Sequence, residues 1–404
     1  MSLTFPASPT VGDTYTVGAR TWSWSGTIWE ITGSVASAGS IGTAELADSA
    51  ITTAKIAAGA VAEADIAANA VTQAKLASTL SGITICTSST QPASPFTGQT
   101  IFETDTNLMK VYLSNGWSNG TTHSRSIPFQ YVVVAGGGGA TTIRGGGGGA
   151  GGFRTDTVSL SSGTYVVTVG AGGAAGTDNG NGVQGADSRF NTIYASGGGK
   201  ANYFAVGSAG GSGAGGSIRQ SLAGGSGNIG GYSPVEGYAG GTATDLDESG
   251  LGGGGGGGGA GGAGGNASRT GSVAGAGGIG RENPITGSTT GQLFSGAYWL
   301  AGGGGGGGAP AGASYCNTAG AGGRGGGGAG AVGVATGTAG TANTGGGGGG
   351  NEATGGAGAG GSGVVIVRYL TSDATGYTVT GGTATTSGSY TIRTFTASGT
   401  LAIA

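Results

Sequence analysis

His123 is the only histidine in a chain of 404 residues. Chemistry that needs an imidazole is short of partners here. A Ser/His/Asp triad and a His/Cys zinc cluster each require groups that the sequence does not gather. The two cysteines, Cys86 and Cys316, stand far apart and form neither a metal-binding spacing nor a disulfide framework. The densest acidic stretch is Asp245-Leu246-Asp247-Glu248. It lacks the spacing of an EF-hand or of a calcium-binding nonapeptide, so calcium remains only an alternative there. A buried pair of carboxylates of the glycosidase kind also stays open as an alternative. Gly211-Ser212-Gly213-Ala214-Gly215-Gly216 fits G-x-G-x-x-G. No dinucleotide-binding strand or acidic partner accompanies it, and in so glycine-rich a chain the match has no value. The expectation is a protein that is not an enzyme, with no catalytic residue, no metal and no cofactor.

Aromatic residues between glycine runs are the better candidates for function. Tyr203 and Phe204 follow Lys200-Ala201-Asn202; Tyr232 and Tyr238 flank Pro234; Phe294, Tyr298 and Trp299 lie between Arg281 and Leu300; and Tyr315 precedes Cys316. Rigid aromatics among Ser, Gly and Asn give contact area at low entropic cost, as in antibody loops. These eight residues are the candidate binding set. Their other reading is as caps on the apolar edges of whatever the glycine runs build.

Charge limits the partners. Only 8% of residues are charged and the net charge is −3. Nothing draws the chain to nucleic acid, and no polybasic run suits an anionic membrane. The start, Met1-Ser2-Leu3-Thr4-Phe5-Pro6, has no basic region followed by an apolar core, so no secretory signal is expected. No apolar run approaches the roughly 20 residues of a membrane-spanning helix.

The elements that must position these residues come as repeats. Pro6-Ala7-Ser8-Pro9 through Thr14 matches Pro92-Ala93-Ser94-Pro95 through Thr100, with the shared pattern P-A-S-P-x-x-G-x-T. Both copies continue into β-branched and aromatic residues, a turn and a tryptophan, which predicts two small β-meanders. Units this small rarely hold a sufficient core alone and are expected to lean on partner chains. Between them lies a decapeptide repeat with an aliphatic residue every fifth position: Ile41, Leu46, Ile51, Ile56, Val61, Ile66, Val71 and Leu76. A spacing of five fits neither one helix face nor one strand face. With Thr52 as an N-cap and Gly59 or Asn69 as terminators, each decapeptide predicts a short helical turn and an extended step. A turn that short needs burial against other chains, and a three-stranded shaft is the simplest arrangement. A flexible Ala/Thr linker is the alternative.

Of the 104 glycines, 88 fall in residues 136–363. The densest runs are Gly145–Gly149, Gly252–Gly259, Gly302–Gly308 and Gly345–Gly350. Three predicted strands frame this zone, at 128–135, 164–169 and 363–369, and the first and last are expected to meet in one sheet. Glycine runs usually mean flexible linkers. Here their number, the aromatic segments between them and the framing strands favour polyglycine II, a left-handed helix of three residues per turn without internal hydrogen bonds. Such helices pack at backbone distance, and each satisfies its N–H and C=O groups on its neighbours. Collagen is excluded, because Gly-X-Y is not kept in register and the chain holds 8 prolines.

The order of these pieces resembles tail-fibre proteins of phages, particularly marine and cyanobacterial ones. The resemblance is carried by the P-A-S-P modules, by the Thr53-Ala54-Lys55-Ile56 and Gly59-Ala60-Val61 decapeptides, by Gln130–Gly139, by Ser362–Tyr369 and by Tyr390–Gly399. The glycine-rich half also resembles the tip adhesins of T-even-type phages, where loops on a polyglycine II sandwich bind host outer-membrane proteins. What the resemblance implies is a mainly β, elongated, multi-domain homotrimeric fibre located in the virion. Its parts would be an attachment module at 1–33, a shaft at 34–82, a collar at 83–122, a glycine-rich domain at 123–370 and a C-terminal β segment at 371–404. It implies other phage tail proteins as partners at the amino end and a host glycan or outer-membrane protein at the tip. A virion decoration without receptor binding and an ice-binding polyglycine II bundle are the alternatives.

Overall fold

The computed structural model describes residues 4–18, 20–34, 83–114, 116–118, 121–122, 126–143, 145–177, 180–218, 222–245, 252–309, 316–351 and 355–404. The chain divides into two units, 1–122 and 123–404. The protein is mainly β, and among the described residues the only helical segment is the 3-10 turn Thr371–Ala374. The eight aliphatic positions of the decapeptide repeat lie outside the described residues.

In the first unit, β1 (Thr14–Val17), β2 (Arg20–Trp24) and β3 (Trp29–Ser34) form an antiparallel meander. Phe5 supplies the core of this module. Its ring stacks on Trp29 at 5.2 Å and meets Tyr15 at 5.3 Å and Trp22 at 5.5 Å. The second copy is built from β4 (Thr84–Cys86), β5 (Thr100–Glu103), β6 (Leu108–Leu113), β7 (Gly116–Trp117) and β8 (Thr121–Thr122). The P-A-S-P pattern folds the same way in both. Gly12 and Gly98 have φ of +95° and +91°, a conformation that glycine adopts without strain. Their amides donate to Trp24 O at 2.9 Å and Tyr112 O at 2.8 Å. The Thr10 amide bonds the Asp13 carboxylate just as the Phe96 amide bonds the Gln99 side chain. Trp24 then pairs with Trp29 as Tyr112 pairs with Trp117.

In the second unit, two five-stranded sheets pack face to face. One has the order β10 (Phe153–Leu160), β9 (Ile127–Val134), β19 (Val364–Leu370), β22 (Tyr390–Phe395) and β21 (Thr383–Ser387). The other has the order β13 (Ile193–Ala195), β12 (Ser188–Phe190), β11 (Gly163–Thr168), β23 (Gly399–Ile403) and β20 (Val379–Thr380). Phe129, Tyr131, Val133, Val365, Val367 and Phe395 meet Val167, Phe190, Leu401 and Ile403 between them. The strands bracketing the glycine zone do meet, since β9 pairs antiparallel with β19. The opposite face of the first sheet is covered too. There Val132, Val134, Val364, Ile366 and Ile392 pack on Ala150, Phe153, Ile285 and Leu300. Burial on both faces is why β9 and β19 read as near-continuous apolar runs rather than alternating ones. The segment 371–404, read from sequence as a part of its own, is woven into both sheets: β22 bonds β19, and β23 bonds β11. Short pairs β14 (Thr244–Asp245) with β15 (Gly252–Gly253), and the three strands β16 (Arg281–Glu282), β17 (Gln292–Phe294) and β18 (Ala297–Leu300), complete the unit.

The glycine runs continue out of these strands and pack side by side. The run 145–151 shows the arrangement. Its amides donate from Gly145 to Asn351, Gly147 to Gly255, Gly148 to Gly348, Gly149 to Gly199 and Ala150 to Gly258. Its carbonyls accept from Gly138, Ser212, Gly215, Gly304 and Gly307. Partners repeat every third residue, as 145 and 148 bond one run while 147 and 150 bond another. Six runs surround it, around 135–140, 197–201, 212–216, 254–258, 302–307 and 345–351. This is the pattern expected of packed polyglycine II helices. Side chains would not fit. A methyl group on Gly147 would fall 2.2 Å from the Gly304 carbonyl oxygen, and one on Gly257 2.0 Å from that of Gly148.

Burial separates two kinds of run. Gly252–Gly259, Gly302–Gly308 and Gly345–Gly350, together with Gly145–Gly149, are buried at every position. In 170–177, by contrast, Gly170, Gly173 and Gly176 are buried while Ala171, Ala174 and Thr177 are exposed. A three-residue turn on the outside of the lattice turns one residue inward in each triplet. Pure glycine therefore marks the interior runs, and glycine every third residue marks an outer row.

Candidate functional site

The lattice has two ends. At the sheet end the runs join the sandwich: β9 leads into 135–140, and 145–152 leads into β10. At the far end they turn around. At about 3.1 Å per residue, a six-residue run spans roughly 19 Å between the two. The candidate aromatics divide between the ends. Tyr203 and Phe204 sit at the far end, in the turn after the run that leaves β13. Tyr232, Tyr238, Phe294, Tyr298 and Trp299 sit at the sheet end. Tyr315 lies outside the described residues.

At the far end the Tyr203 and Phe204 rings pack together with centroids 3.9 Å apart. The turn is tied to its neighbours: the Tyr203 amide donates to Asn181 Oδ1 at 2.7 Å, Asn202 Nδ2 donates to Val206 O at 2.8 Å, and Ser217 Oγ donates to Asn202 O. Sequence reasoning missed the aliphatic tips beside it. Val206 is 53% exposed, and Val273 and Val334, in two other far-end turns, are 38% and 86% exposed. The signal was a lone valine between small residues in a turn, which is a weak one.

At the sheet end Asn228 organises the loop that carries Tyr232. Its Oδ1 accepts from the Tyr232 and Glu236 amides, both at 3.2 Å, and its Nδ2 donates to Tyr232 O at 3.1 Å. The Arg154 guanidinium lies 3.8 Å from the Tyr232 ring centroid, a cation–π contact that occupies one ring face. Glu236 is fully buried, and its carboxylate accepts from the Ser196 amide at 2.9 Å. A buried carboxylate with backbone donors acts as a tie between segments. Tyr238 belongs to the lattice through its backbone, bonded to Gly213 and Gly259.

Phe294, Tyr298 and Trp299 share one hairpin. The register sets Leu293 opposite Tyr298, and Gln292 opposite Trp299. Gln292 and Phe294 therefore share a face, and both stay exposed while touching the 324–326 turn. Gln292 Oε1 accepts from the Gly325 and Gly326 amides at 2.7 and 2.9 Å, and the Arg324 guanidinium lies 3.9 Å from the Phe294 ring centroid. Trp299 Nε1 is buried without an acceptor among the described residues. Leu293 projects from the other face and is 60% exposed. Beside Tyr298 an open groove of about 370 Å³ runs along the loop 282–289.

Among the described residues no group of three or more His, Cys, Asp or Glu is placed to hold a metal ion, and no helix is long and apolar enough to cross a membrane. Cys316 is buried, which pushes its thiol pKa up and keeps it protonated. No curated protein matches the sequence. A family model described as a glycine-rich domain matches residues 113–370. That span covers the framing strands β9 and β19 and every interior glycine run, and on it the chain belongs to this glycine-rich domain family.

Proposed function

We propose that this chain is a structural, non-enzymatic adhesin of a phage tail fibre, and that it attaches the virion to a host cell surface through the far-end turns of its glycine-rich domain. The observation that carries this reading is the pairing of a stiff support with apolar turn tips. The interior runs bond their neighbours on all sides, and the turns they hold present exposed Val206, Val273 and Val334, with Tyr203 and Phe204 half-buried beside Val206. Exposed apolar side chains on rigid turns mark an interaction surface. Preorganised turns also lose little entropy on binding. The receptor would be a host outer-membrane protein or glycan.

The fibre part of the proposal is a homotrimer. Its support in the first unit is an uncovered sheet face. Ile85, Phe102 and Met109 align across β4, β5 and β6, and Val111 and Leu113 follow on the same side by alternation. Ile85 is 73% exposed and Leu113 49%. The aliphatic residues Ile41 to Leu76 would form the trimer core of the shaft on sequence pattern alone. The amino-terminal module would then face other tail proteins.

The test is competition. Purified chain should block adsorption of the phage to its host, and the double variant Tyr203→Ala/Val334→Asp should lose most of that block while keeping its melting behaviour. Equal blocking by the variant and the parent would move the contact away from the far end. No blocking by the parent would favour a decoration role.

A further inference from the structure

The groove beside Tyr298 lies at the opposite end of the lattice from the Tyr203 turn. Its loop is held by its own hydrogen bonds and by a core anchor. Asn283 Nδ2 donates to Ser288 Oγ at 3.1 Å and Thr290 O at 3.0 Å, while Asn283 Oδ1 accepts from the Ile285 amide at 3.0 Å. Ile285 is anchored in the core beneath the first sheet. Arg368 Nη1 reaches from β19 to Thr286 O at 2.9 Å, and the Asn283 amide bonds Tyr298 O at 2.7 Å. Loop and hairpin are thus fixed relative to each other before any ligand arrives.

The lining is polar and carries no cation. Glu282, Thr286 and Thr289 are exposed along the groove, and Tyr298 is half-buried at its wall. Glu282 has no ion pair among the described residues. A lone carboxylate repels anions and accepts hydrogen bonds from hydroxyl donors. The threonine hydroxyls both give and accept them. An aromatic ring at the wall offers an apolar face to C–H groups. A volume of about 370 Å³ is at the lower end of small-ligand sites, and its openness along the loop suits one or two residues of a longer chain.

We propose that this groove binds a neutral oligosaccharide, as a site separate from the far-end contact and independent of it. Glu282 disfavours acidic glycans and phosphates there. The experiment is affinity electrophoresis of the full chain through gels containing dextran, mannan, galactomannan or soluble starch, with heparin and polygalacturonate as anionic controls. At least one neutral polysaccharide should retard the chain, and neither anionic one should. Tyr298→Ala should weaken retardation about tenfold or more, Tyr298→Phe should stay within about threefold, and Glu282→Gln should weaken it while Tyr203→Ala leaves it unchanged. Buried Cys316 should remain protected from thiol reagents in each variant, which separates lost binding from lost fold. Absence of neutral binding, preference for the anionic polymers, or full binding by the folded Tyr298→Ala variant would overturn the groove assignment. A chain that blocks phage adsorption without binding sugar sinks only the groove. One that binds sugar without blocking adsorption sinks only the adhesin reading.

Discussion

The Gly304 amide donates to the Gly148 carbonyl oxygen at 2.9 Å, and the Gly148 amide donates to Gly348 at 2.8 Å, so the middle of one interior run is sandwiched between two others by backbone alone. No side chain separates them. A methyl group on Gly304 would lie 1.9 Å from the Gly348 carbonyl oxygen, against a backbone that cannot swing aside. Gly304→Ala should therefore destabilise the domain by about 1–3 kcal/mol or more. Gly262→Ala meets only the Ile279 side chain, Cγ1 at 3.3 Å, and no backbone, and should change stability by less than about 0.5 kcal/mol. Thermal unfolding of the two variants checks this, and equal melting temperatures would contradict interior close packing.

The uncovered face of the second module bears on assembly. If Ile85 and Leu113 contact other copies, Ile85→Asp/Leu113→Asp should shift the particle toward monomer, because burying two carboxylates in an apolar interface is costly. Multi-angle light scattering reads the mass directly. A parent chain that is already monomeric would remove the trimer proposal.

Acid should act first on the second β-module. Glu103 is fully buried there and accepts from the Thr106 hydroxyl, Gln91 Nε2 and Lys110 Nζ, the last at 3.0 Å. The Thr106 hydrogen bond outweighs the opposing effect of burial, and with Gln91 and Lys110 it holds the carboxyl below the usual carboxylate range. A depressed folded-state pKa means the unfolded chain binds the proton more tightly. The stabilisation is present above the unfolded value, near 4.3, and is lost as pH falls toward the lower folded value. Unfolding followed by fluorescence of Trp117, against a Trp117→Phe background for the other tryptophans, should show a stability drop below about pH 4.5 that Glu103→Gln reduces.

Thiol labelling separates the two cysteines. Cys316 is buried, with Sγ 3.5 Å from Ser268 O, while Cys86 is half-buried on β4. Cys316 should react only as the lattice opens, so its rate should rise with denaturant in step with loss of the glycine-rich fold. Rapid labelling of Cys316 in native buffer would show a loose far end.

The sequence carried more of the fold than its low complexity implies. Eight consecutive glycines at Gly252–Gly259 can be ordered only where other backbones meet them on every side, and that run is buried throughout. Glycine every third residue, as at Gly170, Gly173 and Gly176, specifies an outer row in the same way. The P-A-S-P repeat was legible because Gly12 and Gly98 serve one local turn, and local geometry travels with local sequence. The apolar runs of β9 and β19 announced strands that frame the zone and pair with each other.

The order of the runs was not legible, because glycine has no side chain by which one run could be told from another. Which of them lies at the centre, and that 145–151 bonds six neighbours, follows from where the strands of the sandwich deliver and receive the chain. The same holds for the aromatic candidates. Their residue types mark them as contact groups, but whether a turn falls at the sheet end or the far end depends on the length and direction of every run before it. Tyr203 and Tyr298 look alike in sequence, and only the tertiary path puts them at opposite ends of the lattice.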